Sequence, residues 1–482
     1  MNLSEYSDHD ALGLAELLRR GDVTPRELAE LALAAIEKID PILNAVIETF
    51  PDRAAALAEP GSGVSDMPFP GVPFLGKDLP FEKGVRAEMG SELAQGFVAP
   101  VDTELAIRLR AAGAINLGRT TTSEFAFAAT TENRATGKTR NPWNIERSTA
   151  GSSGGAAASV ASGAVPFAQG SDAGGSIRTP SSFCGLVGLK PTRARVPLAP
   201  FPTLSQAGLN NFFVLTRTVR DCAALLDAVE GPAVGDTFEI ARPAIPYRAV
   251  IARAPSSLRV AFTSVAWSGL PVDSAVVAAV RHTAKLCEEL GHRVEEAAPE
   301  FDYATYIAAQ KTLFPPYVVQ DVEAVAKALG RTPGPDNLQS TTWDLYCRGR
   351  TTPATDLLAA LDTYSDIVRR VAVFWQSWDL LLTPTCTVLP QRLGVNDPDR
   401  AGADTDTMFN QLAPQETFTS LFNATGQPAI SLPLQESDDG LPIGMQFVGR
   451  FGDEAQLLAL AAQLEAAQPW SGRRPAVHVA NL

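Results

Sequence analysis

Residues 148–192 read STAGSSGGAAASVASGAVPFAQGSDAGGSIRTPSSFCGLVGLKPT, and the fold turns on whether this run is a linker or a structured core. Glycine and serine at this density suit a flexible connector. Against that, Ala156–Val160 and Val165–Ala168 are helix-forming or apolar, Asp172 and Arg178 set a charged pair among the glycines, and Phe183-Cys184-Gly185-Leu186 ends the run in an apolar segment. The run therefore predicts buried structure. It is not a phosphate loop, because GSSGGAAA has no Lys-Ser or Lys-Thr after its glycines, and it contains neither a GxGxxG fingerprint nor a GxSxG elbow. What remains is a serine behind tandem glycines, Asp172-Ala173-Gly174-Gly175-Ser176. Successive N–H groups in such a turn can converge on one point and stabilise an oxyanion. Ser176, presented beside them, is a candidate nucleophile for a carbonyl carbon.

A serine nucleophile needs a base. The four histidines, His9, His282, His292 and His478, are scattered outside any motif and are expected at the surface or at helix caps. A mechanism without histidine is therefore preferred. Lysine serves when burial among apolar neighbours keeps it neutral, and Gly71-Val72-Pro73-Phe74-Leu75-Gly76-Lys77-Asp78 places Lys77 at the end of an apolar run. Taken alone, Lys77 reads better as a surface lysine or one paired with Asp78 than as a base.

Working outward, Thr24-Pro25-Arg26-Glu27 is a capping box with proline at the first helical position. Leu28, Leu31, Ala32, Ala35, Ile36 and Ile39 then form one apolar stripe. Asn44–Phe50 predicts a strand, and Glu59–Pro73 a Pro/Gly/Ser-rich connector. A helix around Thr103–Ala112, a strand at Ala114–Leu117 and a helix at Val219–Glu230 follow, then a proline-rich surface excursion over Gly231–Ser257. Leu258–Thr263, Ser274–Leu290 and His292–Glu296 predict a strand–helix–strand unit. Residues 300–378 read as mostly helical, with Trp343, Trp375 and Trp378 inside. Strands at Asp379–Thr383, Ala429–Leu432 and Ile443–Val448 and a helix at Asp453–Ala466 close the chain. Alternation from end to end predicts an α/β fold in one large domain over residues 1–482, with a central mixed, twisted β-sheet flanked by helices. Within it, residues 1–60 form a helical start, 61–230 the segment that holds Lys77 and the Gly/Ser run, 231–378 a helical and strand–helix–strand excursion, and 379–482 the closing strands and helix.

Composition excludes whole classes of partner. Asp+Glu 54 against Lys+Arg 40 gives a net charge of −14 with no basic block, so neither nucleic acid nor an anionic membrane surface is an expected partner. Five cysteines without a CxxC pair fit a reducing compartment, each expected as a small buried apolar residue. The opening MNLSEYSDHD lacks the segments of a signal peptide, and no apolar run reaches the length of a membrane span, so a cytoplasmic location is expected. No metal and no cofactor are expected.

The motifs resemble one family throughout. GKD at 76–78, TRNPWN at 139–144, GSSGG at 151–155, GGSIR at 174–178, FCGLVGLKPT at 183–192, LLTPT at 381–385, FNATGQPAISLP at 422–433 and PIGMQFVGR at 442–450 resemble the amidase signature family of serine hydrolases. The resemblance implies amide hydrolysis through a Ser–cisSer–Lys triad: Ser176 as nucleophile, Ser152 as bridging serine behind a cis Gly151–Ser152 bond, and Lys77 as base. It further implies an oxyanion hole from the N–H groups of Ala173, Gly174, Gly175 and Ser176. Ser153 is expected to support the site through a hydrogen bond, Asp172 and Arg178 as an ion pair holding the nucleophile turn, and Trp143 as core.

For the substrate, GDTF at 235–238, SLRV at 257–260, SWDLLLTPT at 377–385 and LEAAQPW at 464–470 are similar to the branch holding 6-aminohexanoate cyclic dimer hydrolases, aryl acylamidases and urethanases. This implies a small-molecule amide or carbamate as partner, cleaved by a monomer or homodimer. The loop Gln310–Tyr317, with Phe314, Pro315, Pro316 and Tyr317, is expected to form an apolar pocket wall, a core helix end being the equal alternative for the same residues, and Met89-Gly90-Ser91 another rim. Two other readings stand beside this one: the glutaminase A subunit of a glutamyl-tRNA(Gln) amidotransferase, and a catalytically inactive binding scaffold.

Overall fold

The computed structural model describes residues 1–56 and 67–482. The connector expected at 59–73 thus falls partly outside the described residues. Its remainder, from residue 67, leads through turns into a buried strand.

Eleven strands make one sheet: β1 (Val46–Thr49), β2 (Pro73–Lys77), β3 (Ile115–Thr120), β4 (Phe167–Asp172), β5 (Val187–Lys190), β6 (Asn211–Thr216), β7 (Arg259–Phe262), β8 (Arg293–Glu296), β9 (Leu380–Pro384), β10 (Ala429–Glu436) and β11 (Pro442–Gly449). Their spatial order is β1-β3-β2-β4-β6-β5-β10-β11-β9-β7-β8. The sheet is mixed, as expected. β2 runs parallel to β3 and to β4, the centre from β4 to β9 is antiparallel, and β9, β7 and β8 are parallel. The β7–helix–β8 unit around Ser274–Glu289 is the predicted one, since parallel neighbours need a crossover. Two small hairpins between residues 132 and 148 were not foreseen.

The capping box at Thr24 starts helix α1 (Pro25–Leu43), with Thr24 Oγ1 accepting from Glu27 N and Glu27 reaching back to Thr24 N. Helix α2 (Gly154–Ala161) is buried at every residue. A methyl group on Gly155 would lie 2.3 Å from Thr121 Oγ1 and 2.5 Å from Ala45 O, so only glycine lets α2 sit against the ends of β3 and α1. Helix α3 (Arg178–Cys184) leaves the nucleophile turn, also wholly buried. The 148–192 run is therefore core.

Residues 300–378 hold α4 (Tyr303–Leu329), α5 (Ser340–Thr351) and α6 (Ala354–Phe374), followed by α7 (Thr405–Glu416). Several sequence expectations are corrected here. The expected loop Gln310–Tyr317 is the interior of α4, which carries Pro315 and Pro316 without breaking. Packing overrides the proline signal: Gly349 of α5 backs onto the Pro315 carbonyl so closely that a methyl group there would meet its oxygen at 2.3 Å. Only Trp375 of the three tryptophans is buried; Trp343 and Trp378 are half-buried at cluster edges. Cys347 is exposed on α5 while the other four cysteines are buried.

His292 and His478 are buried too, contrary to a surface or cap placement. His292 Nδ1 accepts from Leu258 N and its Nε2 pairs with Gln463, whereas burial pushes His478 down to about 4. Among the described residues, no helix is long and apolar enough to cross a membrane.

Candidate active site

The end of β2 delivers Lys77 into the centre of the molecule, where it is 1% exposed. Asp78 does not pair with it. Asp78 turns the other way, onto the Arg119 guanidinium and the N–H groups of Glu88 and Gly90. Lys77 Nζ instead meets three hydroxyls: Ser152 Oγ at 2.6 Å, Ser171 Oγ at 2.9 Å and Ser153 Oγ at 3.0 Å. Burial pushes its ammonium down to about 7, against a smaller opposing pull from Asp172. The lysine is thus poised to exist as a free amine near neutrality.

Ser152 and Ser153 begin the chain's entry into α2, and the Gly151–Ser152 peptide is cis. Ser153 Oγ also reaches Ser171 O and accepts from Ser171 N, both at 3.3 Å, which ties the lysine pocket to β4. Ser171 went unread in the sequence. The signal was the parallel register, in which Leu75 faces Ala168 and so carries Lys77 toward the level of Ser171.

β4 ends at Asp172 and the chain turns through Ala173-Gly174-Gly175-Ser176 into α3. Gly175 has φ +154°, and a side chain there would strike Thr419 Oγ1 at 2.5 Å. The turn is fixed from both ends. Thr419 Oγ1 donates to Gly174 O, and Asp172 Oδ2 accepts from Ile177 N and Arg178 N. Arg178 grips Asp172 with two parallel bonds, Nη2 to Oδ1 at 2.8 Å and Nε to Oδ2 at 3.0 Å, with both side chains 0% exposed. Burial raises the Asp172 carboxyl, but the Arg178 charge and hydrogen bonds, with Asn423, hold it below the usual range. The expected ion pair is present and makes no contact with open space. Among the described residues, the N–H groups of Gly174, Gly175 and Ser176 have no protein acceptor.

Two cavities meet at Ser176. The larger, about 400 Å³, reaches Ser152, Ser171 and Ser176 at one end and is walled by Met89, Phe125 and Phe212. The smaller, about 60 Å³, lies against Gly174 and Ser176 under Phe127, Phe314 and Glu416. Phe314 lines the smaller cavity and Met89 the larger. Gly90, Ser91, Pro315 and Tyr317 line neither. Gly90 N is spent on Asp78, Ser91 Oγ on Glu124, and Pro315 is buried within α4. Tyr317 is half-buried away from both cavities. Trp143 is likewise structural, donating from Nε1 to Cys184 O.

Gln206, Asp321 and Glu416 line the cavities but lay far apart in unremarkable sequence. Burial, followed by the Asp172 charge, pushes the Glu416 carboxyl up to about 8.

The Amidase family model matches residues 27–458. The chain belongs to the amidase signature family. It is accordingly an amidase, an enzyme of amide carbon–nitrogen bonds. Across 478 residues it is 38% identical to the 6-aminohexanoate-cyclic-dimer hydrolase of Paenarthrobacter ureafaciens, covering 97% of this chain and 96% of that one. The solved structure of a 6-aminohexanoate cyclic dimer hydrolase complexed with substrate superposes with a TM-score of 0.91 at 36% identity, over 98% of this amidase and 99% of that chain. A bacterial aryl acylamidase of the amidase signature enzymes superposes with a TM-score of 0.86 at 26% identity, over 98% of each chain.

Proposed function

We propose that this amidase cleaves a small-molecule amide through Ser176, Ser152 and Lys77 by way of an acyl-enzyme. The observation that carries the reading is Lys77 Nζ, 2.6 Å from Ser152 Oγ and pushed down to about 7 by burial. As the free amine, Lys77 takes the Ser152 proton while Ser152 takes that of Ser176, and Ser176 Oγ adds to the carbonyl carbon. The negative charge that develops on the carbonyl oxygen is received by the N–H groups of Ala173 to Ser176, in place before the reaction starts. The relay returns a proton to the leaving amine, the C–N bond breaks, and water then hydrolyses the acyl-Ser176 ester by the same route.

The apolar walls favour a substrate with a hydrophobic acyl or aryl part. Likeness to the cyclic dimer hydrolase and the aryl acylamidase supports cyclic or linear aminohexanoate amides, aryl amides and the related carbamates as substrates. On this reading the enzyme works in the reducing cytoplasm, which suits its free thiols, as a monomer or homodimer without partner subunits.

The test is a substrate panel with a fluorophosphonate label. Stoichiometric labelling at Ser176, with turnover of anilides or aminohexanoate amides, is the expected result. A label that leaves Ser176 untouched while amides are still cleaved would overturn it.

A further inference from the structure

Helix α4 runs along both cavities. Gln310 and Phe314 line the smaller one at Ser176, while Asp321, Ala324, Val325 and Ala328 line the larger one. Apart from the adjacent pair Ala324 and Val325, these positions follow at intervals of three, four and seven residues, one face of a helix. Asp321 lies seven residues beyond Phe314, about 10 Å along the axis at 1.5 Å per residue. The larger cavity is mostly apolar, with Leu79, Met89, Phe97 and Phe125 in its lining beside the polar Ser205, Gln206 and Asn210. A carboxyl group therefore stands at a distance from the nucleophile, across greasy surface.

No basic residue answers it. Among the described residues, neither cavity is lined by a lysine or arginine, and Lys77 lies behind Ser152. The Gln206 side-chain amide beside the Asp321 carboxyl pulls it back toward the ionised form. Burial raises it to about 6, which still leaves it ionised at neutral pH. The other carboxyl facing the cavities, Glu416, is raised further, to about 8, and so favours its protonated form at neutral pH. One anion thus faces an apolar cavity that a substrate chain would fill. Such a group is costly to bury unless a cation or strong donor meets it. The net charge of −14 draws cations toward the molecule as a whole.

We propose that Asp321 is the counter-ion for a protonated amine on the substrate, so that this enzyme prefers amides whose apolar chain ends in an ammonium group over neutral or carboxylate-terminated ones. The proposal rests on the amide-hydrolysis reading and narrows its substrate class. It also disfavours glutamine, whose α-carboxylate would find no cation in either cavity.

Three anilides of one chain length test it: ω-aminohexanoyl, heptanoyl and adipoyl p-nitroanilide, ending in ammonium, methyl and carboxylate. The unaltered enzyme is expected to favour the ω-amino compound over heptanoyl by about tenfold to a hundredfold in kcat/KM, the worth of a hydrogen bond between charged groups, with adipoyl the poorest. In Asp321→Asn that preference should fall to within about threefold, through KM for the ω-amino compound rather than kcat. Asp321→Ser carries the same comparison if the asparagine variant does not fold. Indifference of the unaltered enzyme between the first two compounds overturns the proposal. A preference that survives both substitutions shows that Asp321 only tethers Gln206, and overturns it equally.

Binding separates this idea from the catalytic reading. Hexylamine should bind the unaltered protein at least about tenfold more tightly than hexanol by calorimetry, whether or not any anilide is cleaved. Equal binding is fatal to the ammonium site, whereas failure to cleave all three anilides strikes the amidase reading instead.

Discussion

Lys77 Nζ stands 2.6 Å from Ser152 Oγ with no carboxylate among the described residues within hydrogen-bonding contact, because the adjacent Asp78 is held by Arg119 and two backbone amides. A lysine beside a carboxylate would stay protonated. One among hydroxyls in a buried site loses its proton near neutrality, at about 7. The sign follows directly: the active form is the free amine, so kcat/KM should climb as pH rises through about 7 and level off above it. A pH–rate profile on a neutral anilide, whose own groups do not titrate, checks this. A profile flat between pH 6 and pH 8.5 would argue against a lysine base.

Replacing Lys77 by methionine keeps the length of the side chain and removes the amine. The expected loss is about 10²–10⁴-fold in kcat, the usual worth of a positioned base. Circular dichroism and the melting temperature should stay close to those of the unaltered enzyme, since the substitution removes a buried polar group and its desolvation cost. Turnover near the original rate would require another base.

Gly174 and Glu416 are packed so that a methyl group on residue 174 would lie 2.4 Å from Glu416 Oε2. Gly174 has an ordinary φ, so the obstacle is space and not backbone strain. Gly174→Ala should therefore force the nucleophile turn and the Glu416 carboxyl apart and lower kcat by about fivefold to a hundredfold, from the overpacking penalty of about 1–3 kcal/mol. Shortening the neighbour should give part of this back. In a double-mutant cycle, Gly174→Ala with Glu416→Ala is expected to be more active than the product of the two single effects allows. Strict additivity would show that the two residues do not meet.

The Asp172–Arg178 pair is completely buried, and Arg178 also bonds Thr419 O, Gln446 and Asn423. Arg178→Met leaves the Asp172 carboxylate without its cation in a dry site. The expected cost is about 3–5 kcal/mol of stability, read by urea unfolding, with activity lost because Asp172 anchors the start of α3 behind Ser176. Arg178→Lys should fall between, as lysine lacks the planar fork that makes two parallel bonds.

The sequence made the centre of this site legible and left its walls obscure, for a physical reason. Ser152, Ser153 and Ser176 belong to short glycine-rich turns, and Asp172 ends the strand that enters one, where backbone geometry is set by neighbours along the chain; Lys77, at the end of β2, was legible only through the motif resemblance. Helix α1 and the strands β1, β3 and β7 to β11 were equally readable, since periodicity and capping are local, whereas the central β4, β5 and β6 were not singled out. The pocket is not local: Gln206, Asp321 and Glu416 come together only through the packing of α4 and α7 against the turn. Pro315 and Pro316 misled for the same reason, a local breaker signal overruled by the close seat of α5. His292 and His478 were misplaced because partners such as Gln463 and the amide of Ala480 are distant or invisible to periodicity.

Ser171 offers the sharpest test of how the base is tuned. Its Oγ lies 2.9 Å from Lys77 Nζ, one of three hydroxyls around that nitrogen. A protonated lysine donates three bonds, so each hydroxyl that accepts one favours the charged form. Removing an acceptor in Ser171→Ala should make the ammonium harder to keep. The rising limb of kcat/KM is then expected to move below about 7, while the plateau rate falls severalfold because Lys77 is less firmly aimed at Ser152. Restoring the hydroxyl with Ser171→Thr should return the limb toward its original position. A plateau loss without any movement of the limb would mean that Ser171 holds the lysine in place but does not set its proton affinity.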